Sequence, residues 1–198
     1  YITWNNLYEK VCKFSNYLKK LSLKKGDRVA AYVPNKIETI ISFLACAKNG
    51  IIWSSCSPDF GVQGVVDRFK QIEPKVLITS DYYFYNGKKI NILDKVDDVT
   101  KQIPSIKKVI VFNYNKKEKE NLKNFIDFEE TLNVKSDESF ERFEFNHPIY
   151  ILFSSGTTGK PKCITHGTGN VLIEHNKEFM LHCDIRNNEK LFYYTTTG

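Results

Sequence analysis

The residues best suited to chemistry lie in one loop, at positions 154–162, where the sequence reads Ser-Ser-Gly-Thr-Thr-Gly-Lys-Pro-Lys. Gly156 and Gly159 permit backbone angles that other residues avoid, and they let the chain approach a ligand closely. Four hydroxyl groups and several backbone N–H groups can then converge on an anion. Lys160 and Lys162 add positive charge, and the proline between them orients the second lysine through its fixed φ angle. The loop is therefore predicted to bind a polyphosphate.

This loop does not match the Walker A pattern G-x-x-x-x-G-K-[ST] of P-loop enzymes. That pattern needs a glycine at position 154 and a serine or threonine at position 161, where this sequence has Ser154 and Pro161. The proline also removes the hydroxyl group that would bind magnesium. A P-loop kinase or GTPase is thus disfavoured. A flexible turn between strands is the other interpretation, and the length of the motif argues against it.

The five cysteines form no disulfide or zinc pattern, since their number is odd and no C-x-x-C occurs. They favour reduced, mostly buried thiols in a cytosol-like compartment. His175, His182 and Cys183 are close in sequence, but they fall within or next to a predicted helix over residues 170–182. Packing or surface roles are expected there, and no metal site is predicted.

Two further side chains follow the loop directly, Cys163 and His166. A cysteine in this place could be a nucleophile, but no helix N-terminus or paired histidine is identifiable that would lower its pKa. A packed thiol is therefore predicted. His166 has two open interpretations, a position near the nucleotide and a structural role in packing or hydrogen bonding.

Helical and strand-like segments alternate around this loop. Apolar residues at three- and four-residue steps predict helices, and continuous apolar runs predict buried strands. The predicted helices cover residues 4–21 (with Thr3 as N-cap), 38–48, 62–72, 94–103 and 170–182, and the predicted strands cover 28–33, 51–55, 75–79, 108–112 and 149–153. Continuously apolar strands between helices favour a mostly parallel sheet flanked by helices on both faces. The predicted fold class is α/β.

One long segment, residues 113–146, interrupts the alternation. It is rich in lysine, glutamate and asparagine and has no periodic apolar face. We predict a variable surface insertion within the domain.

The composition bounds the remaining possibilities. The chain has 198 residues, a net charge of +6 and 41% hydrophobic residues, which is typical of a soluble globular protein and excludes collagen-like, disordered and disulfide-scaffold classes. The charge leaves an RNA-binding module as an alternative. The densest lysine tract, residues 116–123, is equally rich in glutamate and asparagine, so no nucleic-acid partner is predicted. No apolar run approaches the ~20 residues of a membrane span.

The ends of the sequence and its partners complete these expectations. The chain begins at Tyr1 and its one methionine is Met180, so we expect a part of a longer protein, cut at both ends. Small-molecule substrates are the predicted partners, and no oligomeric state is predicted.

The phosphate loop resembles the signature of the adenylate-forming superfamily, which comprises acyl-CoA synthetases, luciferases and the adenylation domains of peptide synthetases. Within that superfamily the sequence is most similar to the acetoacetyl-CoA synthetases. This resemblance rests on residues 53–65, 67–69, 71–77, 150–153 and 181–184, and it is weak over 82–146. Cys163, where much of the superfamily has glycine, fits the acetoacetyl branch. Residues 1–198 are thus identified as part of an N-terminal AMP-binding domain.

The resemblance implies an ATP-dependent ligase that converts acetoacetate, ATP and CoA to acetoacetyl-CoA, AMP and pyrophosphate through acetoacetyl-AMP. An acetyl- or propionyl-type short-chain synthetase is the alternative. ATP, Mg²⁺ and coenzyme A would be needed, and the expected location is the cytosol. The residues implied to hold the β- and γ-phosphates of ATP are Ser154, Ser155, Gly156, Thr157, Thr158, Gly159 and Lys162.

The resemblance also implies what lies elsewhere in such an enzyme. Gly198 is a candidate for the acyl pocket. No catalytic residue or metal ligand is identified within the chain. The acidic residue that serves magnesium, the aspartate that holds the ribose and the lysine of the C-terminal domain would all follow later. The excerpt alone is therefore expected to be inactive.

Overall fold

A seven-stranded sheet forms the centre of the molecule in the computed structural model, which describes residues 1–115, 125–154 and 159–196. Its strands lie in the order β7-β6-β3-β1-β2-β8-β9. These strands are β1 (Arg28–Tyr32), β2 (Ile52–Cys56), β3 (Val76–Ser80), β6 (Lys108–Phe112), β7 (Ile126–Asp127), β8 (Pro148–Ser154) and β9 (Lys162–Gly167). A separate antiparallel hairpin is formed by β4 (Tyr82–Tyr85) and β5 (Lys88–Asn91).

All neighbouring strands of the sheet are parallel except the last pair, in which β8 and β9 are antiparallel. The mostly parallel α/β sheet predicted from the apolar runs is confirmed. Each predicted strand lies within one residue of its observed bounds at 28–32, 52–56, 76–80, 108–112 and 148–154. The agreement follows from burial, because strands covered on both faces need apolar side chains in every position.

The helices cover both faces of this sheet. They are α1 (Trp4–Lys20), α2 (Ile37–Lys48), α3 (Val62–Phe69), α4 (Leu93–Gln102), α5 (Phe128–Thr131) and α6 (Thr168–Lys177), which continues into a π-helical turn at Glu178–His182. One core lies between the sheet and α1 with α2, and it contains Phe14, Ile41 and Ile78. The other lies between the sheet and α3 with α4, and it contains Phe69 and Leu77.

Local chemistry explains the helix ends. The Thr3 Oγ1 accepts a hydrogen bond from the Asn6 N–H at 3.2 Å, which confirms Thr3 as the N-cap of α1. Helix α3 ends at Phe69, three residues before the predicted end. The chain tightens there, since the N–H groups of Gln71 and Ile72 donate to carbonyls only three residues back.

Part of the segment 113–146 packs on the sheet. Strand β7 extends the sheet beside β6, and the Phe128 side chain in α5 is fully buried against Phe14, with ring centroids 4.9 Å apart. Residues 116–124, which include the whole lysine tract, lie outside the described part of the chain. The surface insertion over the whole segment stays a prediction.

The structure adds elements that the sequence pattern did not predict. Strands β5 and β9 were missed because they are largely exposed and carry few continuous apolar residues; strand β4, an aromatic run whose first two residues are buried, was also not predicted. Residues 191–194, an aromatic run that looks like a strand, form no strand and are exposed. Among the described residues, no helix is long and apolar enough to cross a membrane.

Candidate functional site

The carboxyl ends of the parallel strands meet at one edge of the sheet. The loops that follow β1, β2, β3, β6 and β8 therefore lie together, and their described residues include 33–36, 57–61, 81, 113–115 and 159–161. In open α/β sheets ligands bind outside this edge. The chain leaves β1 toward β2 on one side and leaves β3 toward β6 on the other, which opens a crevice between the two strands. The predicted phosphate loop follows β8 at the same edge.

Strands β8 and β9 form a two-stranded ribbon that carries the phosphate loop. Ser154 at the end of β8 pairs with Lys162 at the start of β9, so the two arms of the loop are side by side. Gly159 has a φ angle of +121°, in a region that favours glycine, and nothing lies within 4 Å of a Cβ built there. Ser155, Gly156, Thr157 and Thr158 lie outside the described residues, as does Gly198.

Two lysines flank the exit of the loop, Lys160 and Lys162, and both are exposed. Neither has an ion-pair partner among the residues that the structure describes. Two ammonium groups without a carboxylate beside them favour an anionic ligand at this place. The geometry of the described arms is thus compatible with the predicted polyphosphate site, whose residues remain a prediction.

The exit of the loop is held by a residue that the sequence analysis did not single out, Gln71. Its Nε2 donates to the Pro161 carbonyl oxygen at 2.8 Å and to the Asp67 carbonyl oxygen at 2.7 Å. Its Oε1 lies 3.6 Å from the Cys163 Sγ. Gln71 lies two residues after the end of α3. Its place in the stretch 71–77 that carries the family resemblance was the available signal.

The loop after β2 is fixed by buried polar contacts. The Tyr32 hydroxyl, at the end of β1, lies 2.9 Å from the Pro58 carbonyl oxygen and also contacts that of Phe60. Burial raises the pKa of this hydroxyl well above its ordinary value, so it stays protonated and donates. The Arg68 guanidinium lies over the Phe60 ring, 4.3 Å from its centroid. These contacts tie the segment 57–61 to both β1 and α3.

A buried carboxylate connects the ends of β3 and β6. The Asp81 Oδ1 accepts hydrogen bonds from the backbone N–H groups of Tyr82 at 2.7 Å and Tyr114 at 2.8 Å. Asp81 is completely buried. Two hydrogen bonds accepted by one carboxyl oxygen hold both loops at fixed positions beside the crevice.

Two cavities open at this edge, on either side of the segment 194–196. One, of about 270 Å³, is lined by Ser57, Asp59, Tyr83 and Tyr114 among others. The other, of about 410 Å³, is lined by Trp53, Ser55, Tyr150 and Thr39 among others. The Asn35 Nδ2 donates to the Thr195 carbonyl oxygen at 2.6 Å and so holds the segment that separates them.

Cys163 is exposed, which makes the predicted packed thiol wrong. Its position on β9, an edge strand with its side chain away from both cores, explains the difference. Partial desolvation raises the pKa of the thiol, so the structure does not favour a thiolate nucleophile either. The His166 ring is half-buried and packs on Tyr150, with centroids 4.9 Å apart. This contact is the structural role that one of its two interpretations expected.

The other candidate metal ligands are dispersed on the surface. His175, His182 and Cys183 are exposed, and the His175 ring lies 5.9 Å from Phe179. In the described ranges no group of three histidine, cysteine or acidic side chains comes together. Three of the five cysteines are buried as free thiols.

The comparisons with known proteins agree with this architecture. The model of the AMP-binding enzyme family matches residues 1–195. Acetoacetyl-coenzyme A synthetase of Rhizobium meliloti is 45% identical over the whole chain, and the acetoacetyl-CoA synthetase of Gallus gallus is 42% identical; the chain covers 31% of each. The solved acetoacetyl-CoA synthetase from Streptomyces lividans superposes with a TM-score of 0.94 at 38% identity, over all of this chain and 30% of that one.

These matches settle the family and leave most of the relatives' length unmatched. The chain spans about 31% of the length of the curated relatives it matches. Both the resemblance to acetoacetyl-CoA synthetases and the fold expected for an N-terminal portion of such an enzyme are confirmed. The chain belongs to the AMP-binding enzyme family.

Proposed function

We propose that the full-length protein containing this chain is an ATP-dependent acid–thiol ligase that makes acetoacetyl-CoA. The carboxylate of acetoacetate attacks the α-phosphorus of ATP, and acetoacetyl-AMP and pyrophosphate form. The thiol of coenzyme A then attacks the acyl carbon, and AMP leaves. Two observations carry the proposal. The β8–β9 ribbon brings the two arms of the predicted phosphate loop to the carboxyl edge of the sheet. The chain is 42–45% identical to acetoacetyl-CoA synthetases.

The part of this chain is to hold the polyphosphate. In the first step an anion approaches a polyanion, so the repulsion must be offset by donors and cations that are already in place. We assign this role to Ser154, Ser155, Gly156, Thr157, Thr158, Gly159 and Lys162, which would hold the β- and γ-phosphates. Hydroxyl and N–H donors fix the orientation of the leaving pyrophosphate, and the lysine offsets its charge. Magnesium would arrive bound to ATP as part of the substrate.

The choice of acid rests on the relatives. Acetoacetate carries a ketone that acetate, propionate and butyrate lack. A pocket built to donate to that ketone rejects butyrate, because the donor is then left unpaired at a cost of about 1–3 kcal/mol. An acetyl- or propionyl-type specificity is the competing proposal. Gly198 remains a proposed contributor to this pocket. The curated relatives at 42–45% identity favour acetoacetate.

We also propose a reducing compartment such as the cytosol. The buried free thiols of Cys12, Cys46 and Cys56 support this location. Burial raises the pKa of the Cys56 thiol to about 12, which keeps it protonated and unreactive.

The test is acid-dependent release of pyrophosphate by the full-length protein with ATP, magnesium and coenzyme A. We expect kcat/KM for acetoacetate to exceed that for acetate, propionate, butyrate and a long-chain acid. Equal or higher kcat/KM values for acetate or propionate would overturn the specificity for acetoacetate and support the competing acetyl- or propionyl-type specificity. Failure of every acid to release pyrophosphate would overturn the ligase itself.

A further inference from the structure

We propose that Gln71 is a positioning residue for the phosphate loop, which it holds at Pro161 and thereby sets how tightly the enzyme binds Mg-ATP. The proposal rests on the proposed function for the identity of the ligand. It assigns a role to a side chain outside the loop, two residues beyond the end of α3.

The Gln71 amide makes three contacts. Its Nε2 donates to the carbonyl oxygens of Asp67 and Pro161, at 2.7 and 2.8 Å. Its Oε1 faces the Cys163 Sγ at 3.6 Å. The amide nitrogen has two hydrogens in a planar fork, so both can be satisfied at once. The contacts at 161 and 163 lie on the two sides of Lys162, the lysine assigned to the phosphates.

The contact with Pro161 is important because of the chemistry of proline. Proline has no backbone N–H, so its carbonyl is the one backbone group through which residue 161 can form a hydrogen bond. It stands just before β9, which among the described strands pairs with β8 at the edge of the sheet. The bond from Gln71 therefore ties the loop exit to a second element, in addition to the ribbon itself.

The support beneath Gln71 is rigid. Phe69 and Val65 on α3 are completely buried in the core. On the other side, the Arg28 guanidinium from β1 donates to the Ile72 carbonyl oxygen at 2.6 Å and to that of Glu73 at 3.1 Å. The backbone is thus held on both sides of Gln71, so the amide is presented to Pro161 at a fixed place.

We expect Gln71 to affect the affinity for Mg-ATP. The amide is uncharged, so its removal leaves the charge at the loop unchanged and alters only the placement of the loop exit. Lys162 would then meet the phosphates in a less favourable geometry. The acid binds elsewhere and should not be affected.

The experiment compares Gln71→Met with Gln63→Met in the full-length protein. Methionine has a similar length and no hydrogen-bond donor. Gln63 lies on α3, the helix that precedes Gln71, is also exposed and donates to the Asp67 Oδ1 at 2.7 Å. Dissociation constants for Mg-ATP are measured by calorimetry, together with KM for ATP and for acetoacetate. We expect Gln71→Met to weaken Mg-ATP binding about three- to tenfold, as for the loss of one hydrogen bond, and Gln63→Met to leave it unchanged.

Two further variants sharpen the result. Gln71→Asn keeps the amide but is one methylene shorter, so it should weaken binding like Gln71→Met. In a Lys162→Ala background, Gln71→Met should have less effect than in the wild type, because the two residues act on one phosphate contact. Unchanged Mg-ATP affinity in both Gln71 variants would overturn the proposal. So would an equal loss in Gln63→Met or a parallel rise in KM for the acid.

The direct binding measurement separates this inference from the proposed function. A protein that binds Mg-ATP but releases no pyrophosphate with any acid would contradict the ligase and still decide the role of Gln71. A protein that does not bind Mg-ATP would overturn both.

Discussion

The parallel strands β6, β3, β1 and β2, here called the parallel core, differ from the ribbon β8–β9 in almost every physical respect. All five residues of β3 are buried, whereas every residue of β9 is exposed or half-buried. The parallel core lies between two helical layers, and neighbouring strands pair over four or five residues. The ribbon joins it through one register pair, Trp53 with Tyr150, and a hydrogen bond from the Ser54 Oγ to the Ile151 carbonyl oxygen at 2.7 Å.

This difference separates stability from ligand binding. The parallel core supplies the buried apolar surface that holds the fold together. The ribbon buries little and instead presents the backbone and side chains of a loop. Substitutions in the first region should therefore change unfolding, and substitutions in the second should change the response to ATP.

The largest expected effect tests the stability half of this comparison. Phe69→Ala on α3 removes a completely buried ring and should lower the free energy of unfolding by about 3–5 kcal/mol. Ile164→Ala on β9, where the side chain is 46% exposed, should cost below about 1 kcal/mol. Urea unfolding of residues 1–198 measures both. Similar losses at the two positions would remove the distinction.

The junction of the two regions offers a second test, at Gly50 just before β2. Its φ angle is +63°, and a Cβ there would lie 2.7 Å from the Phe143 ring and 3.1 Å from the His147 Nε2. Gly50→Ala should therefore destabilise the fold by about 2–4 kcal/mol, through backbone strain and overpacking together.

Gly26 is the matched control for this prediction. It has a φ angle of +85° with nothing within 4 Å of a built Cβ. Gly26→Ala should cost only the backbone strain, about 1–2 kcal/mol. Thermal unfolding of the two variants side by side isolates the steric part. An equal loss at both glycines would show that the neighbours of Gly50 give way.

The third prediction concerns ligand binding at the ribbon. Lys162→Ala in the full-length enzyme should lower kcat/KM for ATP by about one to two decades. This corresponds to a loss of about 1.5–3 kcal/mol in binding energy, since a charge-assisted donor to phosphate is lost. The same loss is expected for Thr157→Ala, at a position outside the described residues. KM for acetoacetate should change less than KM for ATP. Lys101→Ala, an exposed lysine paired with Asp98 on α4, is the control and should leave both unchanged.

The smallest expected effect is a pH dependence of the free energy of unfolding. It arises from Asp137, in the segment that connects the parallel core to the ribbon. Hydrogen bonds from the Ser139 hydroxyl, the Lys19 ammonium and the Ser139 N–H hold the pKa of Asp137 well below its usual value near 4. A lowered pKa stabilises the fold above pH ~4, and this contribution is lost as the pH falls below that value.

Asp137→Asn should accordingly lower the free energy of unfolding by at most about 1 kcal/mol at pH 7. The difference from the wild type should shrink as the pH falls below ~4, because the unfolded wild-type chain then binds a proton that the folded carboxyl does not yet bind. Urea unfolding at a series of pH values measures it. A difference that does not depend on pH would show that the pair contributes through packing instead.

How far the sequence predicted the structure depends on burial. The parallel core was predicted strand by strand, because a strand covered on both faces, such as β3, requires an unbroken apolar run. Strands β5 and β9 were not predicted, since exposed strands place no such demand on residue type. The aromatic run at 191–194 forms no strand in the described part of the chain, because apolar side chains alone do not make a strand without a neighbour to pair with.

The candidate site divides in the same way. A phosphate loop was predicted because glycine, hydroxyl and lysine residues are adjacent in the sequence, and its chemistry stays a prediction. The contact of Gln71 could not, because 90 residues separate it from Pro161 and only the folded sheet brings them together. The exposure of Cys163 depended likewise on β9 being an edge strand, which the local sequence does not indicate.

The single register pair between Trp53 and Tyr150 has a consequence for folding kinetics. Neighbours within the parallel core, such as β1 and β2, are joined by short connections, whereas almost one hundred residues separate the two members of this pair. Contacts this distant along the chain form slowly, because a large loop must close before they contribute any energy. We expect the amide hydrogens of β8 and β9 to exchange before those of β1 and β3, since the last strands to join are the first to open.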